Sequence, residues 1–215
     1  GVYRKFMEYD KARANQVKAL AIRERHARGD DPAVADALHN LAATQWWDGR
    51  YSEAENLYMR SLEMRKRLKP GNDPAVAMSL THLAACRLRM GRVGEAKDLY
   101  QQALDMRRAL YGQEHVEVAQ SLNNLAKCFL DAEQFERAED LFRQALDMVR
   151  RLKGDSWPGT AAASQNLADC LIRRGEAAAM VGDEVAARRA GESARVPYER
   201  ALNIRSQMYP QGHHL

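Results

Sequence analysis

Leu122-Asn123-Asn124-Leu125-Ala126, followed by Phe135-Glu136-Arg137-Ala138-Glu139 and Gln144-Ala145-Leu146, decides the fold, because its pieces return elsewhere at one spacing. Asn124-Leu125-Ala126 is preceded by His82-Leu83-Ala84 and Asn40-Leu41-Ala42 and followed by Asn166-Leu167-Ala168, each step being 42 residues. Phe135-Glu136-Arg137-Ala138 answers Tyr51-Ser52-Glu53-Ala54 and Val93-Gly94-Glu95-Ala96. Ala145-Leu146-Asp147-Met148 answers Ser61-Leu62-Glu63-Met64 and Ala103-Leu104-Asp105-Met106. A fixed period of this length marks a repeat architecture, in which each unit covers its apolar face with its neighbour.

Each unit reads as two helices. Val34, Leu38, Leu41 and Gln45 share one face of a first helix at helical spacing. Gly49 and Gly91 then mark the turn, and a second helix carries Ala54, Leu57, Tyr58, Leu62 and Leu68. Pro32, Pro74 and Pro158 share a register that suits the first turn of the next helix, where a missing N–H costs nothing. Small residues at Ala42, Ala84, Ala126 and Ala168, and at Ala54, Ala96 and Ala138, allow close helix approach, while Tyr51, Tyr58, Tyr100, Phe135 and Phe142 fill the space between pairs. The 215 residues are 46% hydrophobic with 13 glycines and six prolines, a balance that argues against a turn-rich β protein. No run of eighteen apolar residues predicts a membrane span. The reading is all-α: a solenoid of antiparallel helix pairs.

The pattern resembles the tetratricopeptide repeat, and its 42-residue period and the linker Tyr111-Gly112-Gln113-Glu114-His115 resemble the kinesin light chain subtype. The resemblance implies a right-handed superhelix over nearly the whole chain. It divides the single array into a partial repeat at 1–29, repeats at 32–71, 74–113, 116–155 and 158–209, and a linker to a further repeat at 210–215. In the first segment Tyr9 and Ala12 lie 42 residues before Tyr51 and Ala54, so residues 1–29 are expected to hold the end of a first helix and a whole second one. Tyr209-Pro210-Gln211-Gly212-His213-His214 is similar to linkers of arrays fused to bacterial signalling proteins, which implies a piece of a longer chain. The fourth repeat departs from the period: the match to Leu146 is Leu202, fourteen residues late. The surplus lies near 176–196 and predicts both helices lengthened by about two turns, or ~10 Å, with a turn near Gly182 and a kink or restart at Pro197.

Few residues suggest chemistry. Cys86, Cys128 and Cys170 occupy one register, 42 residues apart. Equivalent positions in stacked repeats lie roughly 10 Å apart, beyond the ~7 Å that a disulfide spans, so these are read as reduced, buried thiols in a cytoplasmic protein. No paired CxxC, HExxH or glycine-rich phosphate loop occurs, so neither a metal nor a cofactor is expected. His213 and His214 are adjacent but are read as solvated or structural. No nucleophile, base and orienting group fall together, so the chain is not read as an enzyme. The net charge of +4 is spread over helices without a basic run, and no aromatic RNA-binding motif appears, so no nucleic-acid partner is expected.

The first helices carry a second stripe: Asp36, Asn40, Ala43 and Trp47; then Met78, His82, Ala85 and Arg89; then Gln120, Asn124, Lys127 and Asp131; then Ala162, Asn166, Asp169 and Arg173. His39, Thr81, Asn123 and Gln165 flank it. The family resemblance places this stripe on a concave surface and implies a protein or peptide ligand there, with His39, Asn40, Trp47, His82, Arg89, Asn123, Asn124, Lys127, Asn166 and Arg173 as contacts. The amides alternatively brace neighbouring helices. Arg89, Lys127 and Arg173 favour a mildly acidic ligand. Trp46, in register with Leu88, Leu130 and Ile172, is expected in the core, and Trp47 is expected exposed, as a groove contact or packed against the preceding half-repeat. Trp157 falls in a linker. Two other roles stand beside docking: self-association through the array ends or the fourth-repeat insertion, and regulation of a catalytic domain fused outside this chain.

Overall fold

The computed structural model describes residues 2–208, with side chains from Arg13 onward, and within them it contains helices and turns but no strand. The helices are α1 (Val2–His26), α2 (Pro32–Trp47), α3 (Tyr51–Leu68), α4 (Pro74–Arg89), α5 (Val93–Tyr111), α6 (Val116–Asp131), α7 (Phe135–Lys153), α8 (Pro158–Met180) and α9 (Glu184–Met208). They fall into two compact units, Gly1–Leu110 and Tyr111–Leu215. In the first, α1 packs on α2, α2 on α3 and α3 on α4; in the second, α6 packs on α7, α7 on α8 and α8 on α9. Partners joined by turns of three residues can pack only antiparallel.

The helix starts follow from local chemistry. Asp31 Oδ1 accepts from the backbone N–H of Ala33 at 2.6 Å and of Val34 at 3.2 Å, ahead of Pro32. Asp73 repeats this with Ala75 and Val76, ahead of Pro74. These caps satisfy donors that have no partner inside the helix. In α6 the His115 Nδ1 takes over, accepting from Glu117 N–H at 3.1 Å. Before α8 the position is held by Trp157, which makes no side-chain cap.

The first helices end in one motif. Gly49 N–H donates to the carbonyl of Trp46 and Arg50 N–H to that of Gln45; Gly91 and Arg92 repeat the pair with Leu88 and Arg87, and Glu133 and Gln134 with Leu130 and Phe129. This is a Schellman close, and it requires a left-handed residue. Gly49 and Gly91 have φ of 77° and 76°, and Glu133 is forced to 57°.

The fourth pair explains itself by that motif. Gly175 occupies the register of Glu133, yet it lies inside α8, buried, where an added Cβ would stand 3.2 Å from Ala190 Cβ. The Schellman close moves to Gly182 and Asp183, which donate to Ala179 and Ala178. α8 has 23 residues against 16 in α2, α4 and α6, and α9 has 25. Seven residues are nearly two whole turns, so the lengthened helices keep facing each other. α9 runs through Pro197 as one helix, so of the kink or restart expected there the restart does not occur. The N-terminal segment also differs from its reading: α1 is one helix, running through Met7, which stands in the register of Gly49, Gly91 and Glu133. The side chains of Tyr9 and Ala12, and the linker 210–215 with His213 and His214, lie outside the described residues.

The small-residue ladder Ala42, Ala84, Ala126 and Ala168 is buried with no more than traces of exposure, as are Ala54, Ala96 and Ala138. Tyr58, Tyr100 and Phe142 are buried beside them, and Leu20 of α1 joins Val34, Leu38 and Leu41. Trp46 corrects its reading: it is half-buried, its partner in register Leu88 is too, and Ile172 is exposed, so only Leu130 of that row is core. The row sits near the helix ends, where the Trp46 indole turns edge-on to Trp47 and Tyr51.

Candidate functional site

In the first unit the space between α2, α3 and α4 is closed by one buried guanidinium. Arg65 Nη1 donates to Ser79 Oγ at 2.7 Å and to the Ala75 carbonyl at 3.0 Å, and it lies 3.3 Å from His39 Nδ1. Its Nη2 donates to Asp36 Oδ1 at 2.7 Å. Since Nδ1 of His39 must accept from arginine, its Nε2 carries the proton and donates to His82 Nδ1, 3.1 Å away. Tyr58 stacks on His82 and meets His39 edge-on. Burial, then the neighbouring His82 and Arg65, push His39 down to about 4. Burial, then Arg107 and Arg65, lower His82. Both rings are neutral at pH 7.

His39, 6% exposed, is therefore an internal brace and is withdrawn from the surface contacts expected of it. His82 is half-buried in the same brace. Asn40 is exposed, and Trp47 is 77% exposed, its ring perpendicular to that of Trp46 with centroids 4.9 Å apart. Arg89 lies over the Tyr51 ring, 5.5 Å from its centroid, with Nη2 3.2 Å from the phenol oxygen.

In the second unit a cleft of about 290 Å³ opens between α6, α7 and α8. Gln120, Asn123 and Asn124 of α6 and Ala162 and Asn166 of α8 line it, with Ala145 and Val149 of α7 at its floor and Trp157 and Gly159 at one wall. Asn166 Nδ2 donates to Asn123 Oδ1 at 2.7 Å, so this pair does brace adjacent first helices. Asn124 is half-buried in the lining. Lys127 is exposed, and Arg173 pairs with Asp131 at 3.2 Å, which offsets its charge. Sequence reasoning thus found Asn123, Asn124 and Asn166 but missed Trp157, Val149 and Gly159. The signal was present as breaks in the repeat: Trp157, Val149 and Gly159 stand in register with Asp73, Arg65 and Ala75.

None of Cys86, Cys128 and Cys170 forms a disulfide, and all three are buried. Burial, reinforced by Glu55, pushes the Cys86 thiol up to about 12, and burial with Glu139 raises Cys170 to about 11. Such thiols are unreactive. Among the described residues no helix is long and apolar enough to cross a membrane.

A repeated pair of antiparallel helices, closed by one motif and stacked through an alanine ladder, defines a helical-repeat interaction scaffold. The chain belongs to the tetratricopeptide repeat family, whose model matches residues 1–67, 75–151 and 132–179. It is thereby a protein–protein interaction module in the general sense. Solved structures of the same fold include a point variant of the nearly identical TPR-like repeats from a candidate kinesin light chain of Podosopora anserina, 19% identical over 97% of this chain and 92% of that one, with a TM-score of 0.76. Another is BtubC (BKLC) of P. vanneervenii, 23% identical over 96% of this chain and 94% of that one, with a TM-score of 0.62. A third is the Rap conjugation gene regulator of plasmid pLS20, in complex with the Phr* peptide, 16% identical over 98% of this chain and 52% of that one, with a TM-score of 0.69. No curated protein matches the chain in sequence.

Proposed function

We propose that the first-helix face docks a peptide or an extended segment of a partner protein. The observation that carries this reading is the cleft of the second unit, where side-chain amides of two successive first helices border an open, apolar-floored space. Amides offer both a donor and an acceptor, which suits a peptide backbone. The peptide held by the Rap regulator, a distant likeness in fold, supports the same use of such an array. Contacts on this reading are Asn40, Trp47, His82, Arg89, Asn123, Asn124, Lys127, Asn166 and Arg173. The net charge of +4 favours a mildly acidic segment, and the unreactive thiols suit a reducing, cytoplasmic setting.

The test begins with a partner identified by pull-down. Truncating Trp47 to alanine is expected to cost about 2 kcal/mol, roughly thirtyfold in affinity. Asn124→Ala is expected to cost about 0.5–1.5 kcal/mol. Glu63→Ala, on the exposed side of α3, serves as the control. Affinity that ignores Trp47 and Asn124 but collapses with Glu63→Ala places docking elsewhere.

A second reading, self-association, is favoured by the last described helix. Tyr198 and Leu202 are 42% and 49% exposed, while Phe142 and Leu146, their equivalents in α7, are 1% and 4% exposed.

A further inference from the structure

We propose that the cleft beside Trp157 is an anchor pocket that takes one uncharged, apolar side chain of the docked segment. The proposal rests on the docking reading and adds to it the class of residue recognised. Three features of the array converge on it.

The first is a gap in the repeat. Arg65 and Arg107 are buried arginines in one register, and the third member of that register is Val149. Arg65 fills the space between its two first helices and bonds to both of them. Its partners are replaced together: Asp36 by Gln120, His39 by Asn123, Ser79 by Ala163 and Ala75 by Gly159. All of these replacements line the cleft. The second unit therefore lacks both the plug and the groups that would hold it, and the space a side chain fills in the first unit stands open in the second.

The second is the absence of charge. No ionisable side chain lines the cleft. A guanidinium or ammonium entering it would lose water and meet neither the carboxylate of Asp36 nor any equivalent, so a cation is disfavoured. An aliphatic or aromatic side chain meets Ala145, Val149, Ala163 and the indole, and leaves the Asn124 and Gln120 amides at the rim for its backbone. The volume of about 290 Å³ lies at the small end for ligand sites, which fits one side chain and not a cofactor.

The third is the wall. Trp157 replaces the capping residues Asp73 and His115, and its ring lies so close to Gly159 that an added Cβ would stand 1.8 Å from the indole. Only glycine permits this ring position. A linker residue that elsewhere caps a helix has here become the side of a pocket.

The experiment uses the full chain, isotope-labelled, with the Trp157 indole and the side-chain amides of Asn123, Asn124 and Asn166 followed by NMR. The probes are N-acetyl-leucinamide, N-acetyl-phenylalaninamide and N-acetyl-argininamide, each titrated to about 10 mM, since fragments of this size bind in the millimolar range. The two apolar probes are expected to shift these resonances, and the arginine probe to bind at least about tenfold more weakly. Ala162→Glu, an exposed change at the mouth, and Val149→Met, which fills the floor, are each expected to weaken the apolar probes at least about tenfold. Ala162→Glu keeps the test valid should Val149→Met disturb packing. Equal or tighter binding of the arginine probe, no shift from the apolar probes, or indifference to Ala162→Glu overturns the pocket. A captured partner that responds to Trp47→Ala and Asn124→Ala but not to Ala162→Glu or Val149→Met also overturns the pocket, while the docking face stands. Probes that fill the cleft beside a partner that ignores Trp47 and Asn124 uphold the pocket and overturn the wider face.

Discussion

Glu133 shows how strongly the repeat imposes its geometry on a single residue. Its φ of 57° is the left-handed value of Gly49 and Gly91, adopted without their freedom. The side chain costs about 1–2 kcal/mol there, partly offset by the extra unfolded-state entropy of glycine. Glu133→Gly is therefore expected to stabilise the protein by about 0.5–1 kcal/mol, read as a rise in the urea midpoint; an unchanged or lower midpoint contradicts the strain. The His39–His82 pair gives a second prediction. Both rings are held below their ordinary pKa, so the unfolded chain binds protons that the folded one excludes. Their contribution is complete above the ordinary histidine value near pH 6.5 and declines as pH falls below it, for His39 being lost as pH approaches about 4. Arg65, Arg107 and Asp36 are the charges facing them. For His39 the loss amounts to about 2 kcal/mol by pH 5. Denaturation series at pH 7.5 and pH 5 check it: the drop is expected in the parent and reduced in His39→Gln, and an equal drop in both variants removes His39 as the cause. At this scale the sequence was only partly legible. Trp47 and the three buried cysteines follow from register alone. His39 did not, because its burial depends on an arginine that arrives from another helix.

The α8–α9 hairpin carries the element-scale lesson. Its lengths and its turn at Gly182 could be read from fourteen surplus residues, because helices accept insertions close to whole turns without losing their facing sides. What could not be read was the new use of Gly175, a turn residue by register and a packing residue in fact, set against Ala190. Likewise α1 could not be divided correctly, since the alanine and tyrosine spacing persists across what is a single helix. Gly175 makes the hairpin testable. Deleting residues 176–189 joins Gly175 to Ala190 and restores the 42-residue period, with Ala194 falling where Ala138 falls. Gly175 then sits at a Schellman turn again, free to take positive φ. The deletion protein is expected to keep its helical circular dichroism per residue and a single cooperative transition. Loss of that cooperativity identifies the hairpin as part of the folding core. Gly175→Leu in the intact chain is expected to cost about 1–3 kcal/mol by forcing α8 and α9 apart, and a neutral result denies the close approach.

For the molecule as a whole, the period exposed the architecture because stacking repeats the same environment, whereas the proposed anchor pocket lies where the repeat is broken, at Val149, Gly159 and Trp157. The same reasoning applies to the apolar surface of α9. The Phe142 and Leu146 positions are buried in α7, and the same positions in α9, Tyr198 and Leu202, form a half-exposed apolar surface among the described residues. Two copies that bury it against each other gain the apolar area without a new fold. The exposed side chains are few, so the association is expected to be weak and reversible, in the range of about 10 μM to 1 mM. Sedimentation across that range is expected to show mass rising with concentration, and Leu202→Lys, which places a charge on that half-exposed surface, is expected to hold the chain monomeric. The hairpin tip offers a rival surface: Met180 is 87% exposed and Val181 and Val185 are exposed beside it. Association abolished by Met180→Lys and untouched by Leu202→Lys moves the contact to the tip. A mass that stays monomeric throughout removes self-association as a role of the array.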